Sequence, residues 1–316
     1  MEYCTTRFKN IEKQEYKLEV VTPLFLGGAD PSTPELRVAP FKGMLRFWWR
    51  ALYGSNDLKE MKKEEAGIFG STEKKSMLHI NIVEASGIKV DRSNLPSGDR
   101  GTSNLGTIDY LAYGLCEYNK EKKQIEYVKG HFEPKTSFTL ELYAKADLFP
   151  QVYDALKCFL LYGGIGARSR NGFGSLYCAD IHIEDNPPER SNLPLKFTAF
   201  SKDKRLFRFG FHDSWDKALS EIGKYYREAR LLLEEKHLYE RRSLLSKPII
   251  QAQHNSNSRH SKPYFLHVNR IGENRFQGQI LFLPYQYYDP DSENDYQEVC
   301  RDMNIRFERY AKEATK

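Results

Sequence analysis

At 316 residues, 40% hydrophobic and 29% charged, the chain is long enough for two hydrophobic cores. It contains no run of about 18 uncharged apolar residues, which excludes a helical membrane span. A net charge of +5 permits a polyanionic partner without establishing one. Cysteines at 4, 116, 158, 178 and 300 form no CxxC pair, so neither a disulfide framework nor a cysteine zinc site is expected. The opening MEYCTTRFKNIEKQEYK mixes charges of both signs and lacks the apolar stretch of an export signal, which gives a cytoplasmic expectation.

In chain order, YKLEVVT at 16–22 alternates as a strand up to Pro23, and a turn-rich loop follows. Phe41, Met44, Leu45, Trp48 and Leu52 recur at helical spacing and predict a helix ending at Gly54. Strands are predicted at 76–85 and 136–144, with a polar insertion or mobile loop around DRSNLPSGDRGTSNLG between them. An amphipathic helix carries Leu148, Phe149, Val152, Ala155, Leu156, Phe159 and Leu160, and 175–184 alternates as a strand. The order β-α-β-β-α-β is the ferredoxin-like plan shared by the RRM. The Pro-rich DNPPERSNLPL marks a boundary, dividing the chain into a first domain at 1–190 and a second at 191–316. The second half has a strand near RLFRFGF, a helix from a Ser214 N-cap, strands near 247–252, 263–270 and 275–283, and a last helix over 291–313. The expected class is α+β, with two ferredoxin-like (RRM-like) domains whose antiparallel sheets carry helices on one face.

Between the second helix and the fourth strand lies YGGIGARSRNGFGSL, residues 162–176. A P-loop would need GxxxxGK[ST] between a strand and a helix, and this segment has neither that spacing nor that order. It follows a helix C-terminus, so an anion held here must be attracted by Arg168, Arg170 and loop N–H groups rather than by the helix dipole. Two readings stay open. The glycines Gly164 and Gly166 let another chain approach while Arg168, Ser169, Arg170 and Asn171 grip phosphate, or the segment is a Gly-rich cap followed by turns with solvated arginines.

The first helix offers a second basic element. Lys42, Arg46 and Arg50 recur every fourth residue, which at 100° per residue keeps them within about 80° of one another. Trp49, seven residues after Lys42, falls at that stripe's edge. Basic side chains beside an aromatic platform are a usual means of holding single-stranded nucleic acid; the alternative is a solvated face with Trp49 packed on a neighbouring loop.

TPLFLGGADP, ELRVAPFKGMLRFWWRALYG, EAGIFGST and GGIGARSRNGFGSL, in that order and with the weaker RRSLLSKPI, resemble the RAMP-superfamily subunit family numbered one in the Cmr complex, the type III-B CRISPR effector. The resemblance implies a non-catalytic subunit with no cofactor or metal, bound to single-stranded crRNA and target RNA near the guide 3′ end and to other Cmr subunits, and serving antiviral defence. It places RNA contacts on Lys42, Arg46, Trp49, Arg50 and the glycine loop.

The rival class is a metal-independent crRNA-processing endoribonuclease of the same superfamily, which would use His, Tyr or Lys as acid and base. His79, His182, His212, His237 and His267 fall on predicted strands or helices and read as structural or solvated. His254 and His260 flank a polar loop with Arg259 and Lys262, a second candidate RNA-binding segment, but no orienting partner is evident beside them. The acidic DPDSEND lacks the glycine and spacing of an EF-hand.

Overall fold

The structure, a computed structural model, describes residues 10–30, 33–86, 89–91, 93–101, 105–183, 187–235, 238–246, 260 and 262–315. In β1 (Ile11–Val20) Tyr16, Leu18 and Val20 are buried while Lys13, Glu15 and Lys17 face solvent, the period-two pattern of a half-buried strand. β1 is followed by α1 (Val38–Tyr53), α2 (Leu58–Phe69), β2 (His79–Ser86), β7 (Ser137–Lys145), α4 (Phe149–Tyr162) and β8 (Leu176–Tyr177), with five short elements inserted before β7. β1 pairs antiparallel with β7 from Ile11 opposite Lys145 to Glu19 opposite Ser137, and the sheet order is β2-β7-β1-β8. That is the strand order of a ferredoxin-like fold, as the sequence implied. α1 and α4 cover one face, where Phe41 meets Phe138 and Phe159 edge-on at 5.5 and 6.4 Å. On the other face Lys13 pairs with Glu141 across the strands at 2.6 Å.

The five inserted elements are β3 (Val90–Asp91), α3 (Thr107–Leu111), β4 (Cys116–Asn119), β5 (Gln124–Tyr127) and β6 (His131–Phe132). The polar insertion expected at 91–106 ends just before α3, and α3 itself is built into the second core: Ile108 and Leu111 are buried there, and α3 packs on the helix α5 described next. α5 carries Gly223, where a Cβ would sit 2.9 Å from Leu111 Cδ1.

The second half comprises β9 (Arg205–His212), α5 (Trp215–Leu231), α6 (Glu240–Leu245), β10 (Tyr264–Gly272), β11 (Arg275–Phe282) and α7 (Glu293–Ala314). Its sheet is antiparallel with order β10-β11-β9, and α5 and α7 pack on one side against Phe207, Phe209, Leu266 and Ile280. The other side of β10 and β11, including Phe265 and Leu281, packs into the first core. Two buried faces explain why these strands show no clean alternation.

Some sequence expectations change. The strand over 175–184 shrinks to Leu176–Tyr177, because only those two residues pair with β1 before the chain turns at Cys178. Ser214 precedes α5, but its side chain makes no capping bond. The strand expected at 247–252 lies outside the described residues.

Candidate nucleic-acid interface

The glycine loop follows α4 and folds back on the segment after β1. Ala167 N–H donates to the Phe25 carbonyl at 2.8 Å, Gly174 N–H to Pro23 O at 3.1 Å, and the Thr22 hydroxyl to Gly172 O at 2.7 Å. These closures explain the glycines. Gly166 has φ +88°, and a Cβ there would lie 2.4 Å from Phe25 O; one at buried Gly164 would lie 2.6 Å from Phe173 O. The sequence reading placed RNA against Gly164 and Gly166, but the chain's own backbone occupies that approach, which no Cβ could share.

The loop also joins the two sheets. Asn171 bridges to Leu266 of β10, Leu266 N–H donates to Arg170 O at 3.1 Å, and His267 Nδ1–H donates to Gly163 O at 2.6 Å. The Asn171 side chain is engaged inward, donating to Leu111 O at 2.6 Å. Arg168 is exposed and Ser169 half-buried. Arg170 lies over the rings of Phe265 at 4.4 Å and Phe47 at 5.3 Å, with Nη1 donating to Lys262 O at 2.6 Å. Burial lowers its pKa to about 10, so it remains a cation at neutral pH.

On α1 the basic stripe exists, but α2 lies against it. Glu65 of α2 is buried, accepts from Arg50 through Nε and through Nη2 at 2.8 Å, and forms an ion pair with Arg46, whose Nε lies 3.1 Å away. Arg46 Nη2 also donates to the Phe69 and Gly70 carbonyls at 3.1 and 2.8 Å. Lys42 is half-buried, and burial followed by the neighbouring Arg46 lowers its pKa. Trp49 is 1% exposed, its indole N–H donating to Gln151 Oε1 at 2.8 Å and its ring packed near Phe69 and Tyr53. It offers no stacking face. The helical wheel gave its angle correctly, but α2, absent from the expected elements, closes that side.

The two predicted elements meet in one place. A cleft of about 510 Å³ is lined by Phe47 and Arg50 of α1, Arg170 of the loop, Lys196, Phe197 and Thr198 before β9, and His260, Tyr285, Gln286 and Tyr288. Among the described residues, no Asp or Glu lines it. The sequence reading missed its second wall; the signals were the PLKF and PYQYY runs, which mix basic, proline and aromatic residues outside any strand or helix. His260 is held on both ring nitrogens: Nε2 lies 3.0 Å from the Ser243 carbonyl and so donates, which leaves Nδ1 to accept from the Tyr285 hydroxyl at 3.1 Å. His254 and Arg259 lie outside the described residues. Among the described residues no cluster of His, Cys, Asp and Glu could hold a metal, and no helix is long and apolar enough to cross a membrane.

Residues 17–177, which contain both the basic helix and the glycine loop, match the RAMP superfamily. The chain belongs to that superfamily. Among its relatives, this RAMP chain is 30% identical over 174 residues to CRISPR system Cmr subunit Cmr1-2 of Pyrococcus furiosus, covering 51% of the chain and 92% of that subunit. It is 28% identical over 168 residues to Cmr1-1 of the same organism, covering 52% of the chain and 46% of the relative. Its fold is that of the apo crystal structure of Cmr1 from Pyrococcus furiosus, with TM-score 0.56 at 19% identity over 93% of this chain and 97% of that one. A chain of the type III-B Cmr-beta cryo-EM structure bound to cognate target RNA and AMPPnP gives TM-score 0.57 at 13% identity, covering 93% and 99%. The far wall of the cleft, from Lys196 onward, lies beyond the stretch that matches the superfamily.

Proposed function

We propose that this RAMP chain is a non-catalytic RNA-binding subunit of a type III-B CRISPR effector, working in the cytoplasm beside other Cmr subunits and holding single-stranded crRNA or target RNA near the guide 3′ end. The observation that carries the reading is the cleft where the basic helix and the glycine loop converge, walled by cations and aromatic rings with no carboxylate among its lining residues. Permanently charged guanidinium groups suit phosphate, and ring faces suit bases whatever their identity. Sequence specificity then rests with guide–target pairing, as in RNA-guided systems generally. The non-catalytic part of the reading is supported by His260, whose two ring nitrogens are engaged by the Ser243 carbonyl and the Tyr285 hydroxyl.

One incubation of purified protein with 5′-labelled single-stranded RNA, read by fluorescence anisotropy across a salt titration and on a denaturing gel, tests both parts. The expected result is intact RNA bound with a steep salt dependence. Discrete cleavage products that vanish on His260→Ala or His254→Ala would replace this reading with the endoribonuclease, and salt-independent or absent binding would remove the RNA-contacting role.

A further inference from the structure

The shape and lining of the cleft carry a sharper statement, resting on the RNA-binding reading. We infer that the cleft receives one unstacked nucleotide of the bound RNA strand, its base against the rings of Phe197 and Tyr288 and its phosphate toward Arg170 and Lys196. A volume of about 510 Å³ is in the range of small-ligand pockets and far below what a duplex or a folded partner needs. Arg170 and Lys196, with no carboxylate on the lining, select an anion, while Arg50 beside them is engaged by Glu65, and the aromatic walls select a flat apolar group attached to it. A nucleotide carries both.

The walls are prepared for this occupant to different degrees. Arg170 is held in place by the Phe265 and Phe47 rings and by its bond to Lys262 O, so its guanidinium reaches the cleft without being free to swing. Tyr288 is 49% exposed, with Tyr287 behind it at a ring separation of 4.6 Å. Gln286 is exposed, and its backbone N–H donates to Leu195 O at 2.8 Å, which fixes the Tyr285–Tyr288 segment beside the 196–198 segment. The Gln286 amide and Thr198 hydroxyl supply donors and acceptors for a base edge without selecting one base strongly. Because α1 and the glycine loop line one side and segments of the second half line the other, a nucleotide seated here bridges the two halves of the molecule. Unstacked bases inserted on aromatic rings are the general mode by which single-stranded RNA is held.

The test uses the full chain, a single-stranded RNA carrying 5-iodouridine, and uridine monophosphate as competitor. Ultraviolet cross-linking followed by peptide mapping should place the cross-link on Phe197 or within Tyr285–Tyr288. Tyr288→Ala, an exposed position, should weaken RNA binding about tenfold with the log–log salt slope unchanged, since stacking releases no counterions. Arg168→Ala, as control, should lower the slope while leaving the cross-link in place. Cross-links elsewhere together with unchanged affinity in Tyr288→Ala would overturn the inference while leaving RNA binding intact. Failure of the wild-type chain to bind RNA at all would overturn the functional reading with it. Displacement of the cross-link by uridine monophosphate, at concentrations comparable to those of nucleotide in the RNA, would assign the cleft to a free nucleotide instead of a strand.

Discussion

Acidification should loosen the junction between the two sheets through His267. This imidazole is fully buried in β10 and donates from Nδ1 to the Gly163 carbonyl, the first residue of the glycine loop after α4. Burial lowers its pKa from 6.5 to about 4, with the Gly163 and Asn269 hydrogen bonds only partly opposing the shift. The unfolded chain takes up the proton near 6.5 and the folded chain only near 4, so between those values the unfolded state binds more protons and stability falls as pH falls. That gap corresponds to about 3 kcal/mol at ~1.4 kcal/mol per pKa unit, fully lost below the folded value. Urea denaturation of the wild type and of His267→Gln from pH 7.5 to 4.5 should show the wild type losing stability more steeply. The difference between the two curves isolates this group from the carboxylates and from His131, whose pKa burial also lowers. A difference independent of pH, or an imidazole resonance of His267 titrating near 6.5 in the folded protein, would refute the reasoning.

Four further outcomes follow from side chains around the interface. Lys262 Nζ is buried over the Tyr226 ring at 4.1 Å with no hydrogen-bond partner among the described residues, and burial followed by Arg230, Arg170 and Arg168 pushes its pKa well down. Lys262→Met should therefore raise stability at neutral pH by about 1–3 kcal/mol. It should also flatten the rise in wild-type stability as pH climbs from the lowered value toward 10.5; a lower Tm for the variant would contradict this. Glu65→Gln should cost about 1–3 kcal/mol in denaturant titration yet steepen the salt dependence of RNA binding, because Arg46 and Arg50 lose their shared carboxylate. Trp49→Ala should cost about 3–5 kcal/mol as a core truncation with the salt slope of the folded fraction unaltered. Arg168→Ala should leave Tm nearly unchanged and reduce the slope by roughly 0.7, the share of one neutralised phosphate on a single strand.

Most strands and helices were legible because a half-buried element writes its period into the sequence. β1, α1, α4 and α5 were read from alternation or from apolar spacing at three and four, and the order of the first-half elements carried the ferredoxin-like plan. α2 was not read. Six of its twelve residues are charged, and its buried side is only Met61, Glu65, Ile68 and Phe69, too thin a stripe to register as periodicity. Its start was nevertheless encoded: Asp57 caps it, accepting from the N–H groups of Lys59 and Glu60 at 3.1 Å. The miss propagated to function. Without α2, Trp49 reads as an exposed platform and Arg46 and Arg50 as free cations, whereas with it one is core and the others share a carboxylate.

The glycine loop shows a different limit. Clustered glycines report that something must come close to the backbone, but composition cannot say whether that is a ligand or the chain itself. Here it is the chain: Gly166 is pressed on the Phe25 carbonyl and Gly164 on that of Phe173, so the glycines shape a brace between the sheets, and that brace holds Arg170 at the cleft. Glycine and arginine substitutions should therefore separate. Gly166→Ala adds a Cβ 2.4 Å from a backbone oxygen at φ +88°, which should lower stability by more than the roughly 1 kcal/mol of left-handed backbone alone. Its RNA affinity should return toward wild type as the temperature is dropped below its own Tm, whereas the defect of Arg168→Ala should persist at every temperature. A Gly166→Ala protein that is fully folded by circular dichroism yet deaf to RNA would mean that the strand, not Phe25, is what Gly166 makes room for.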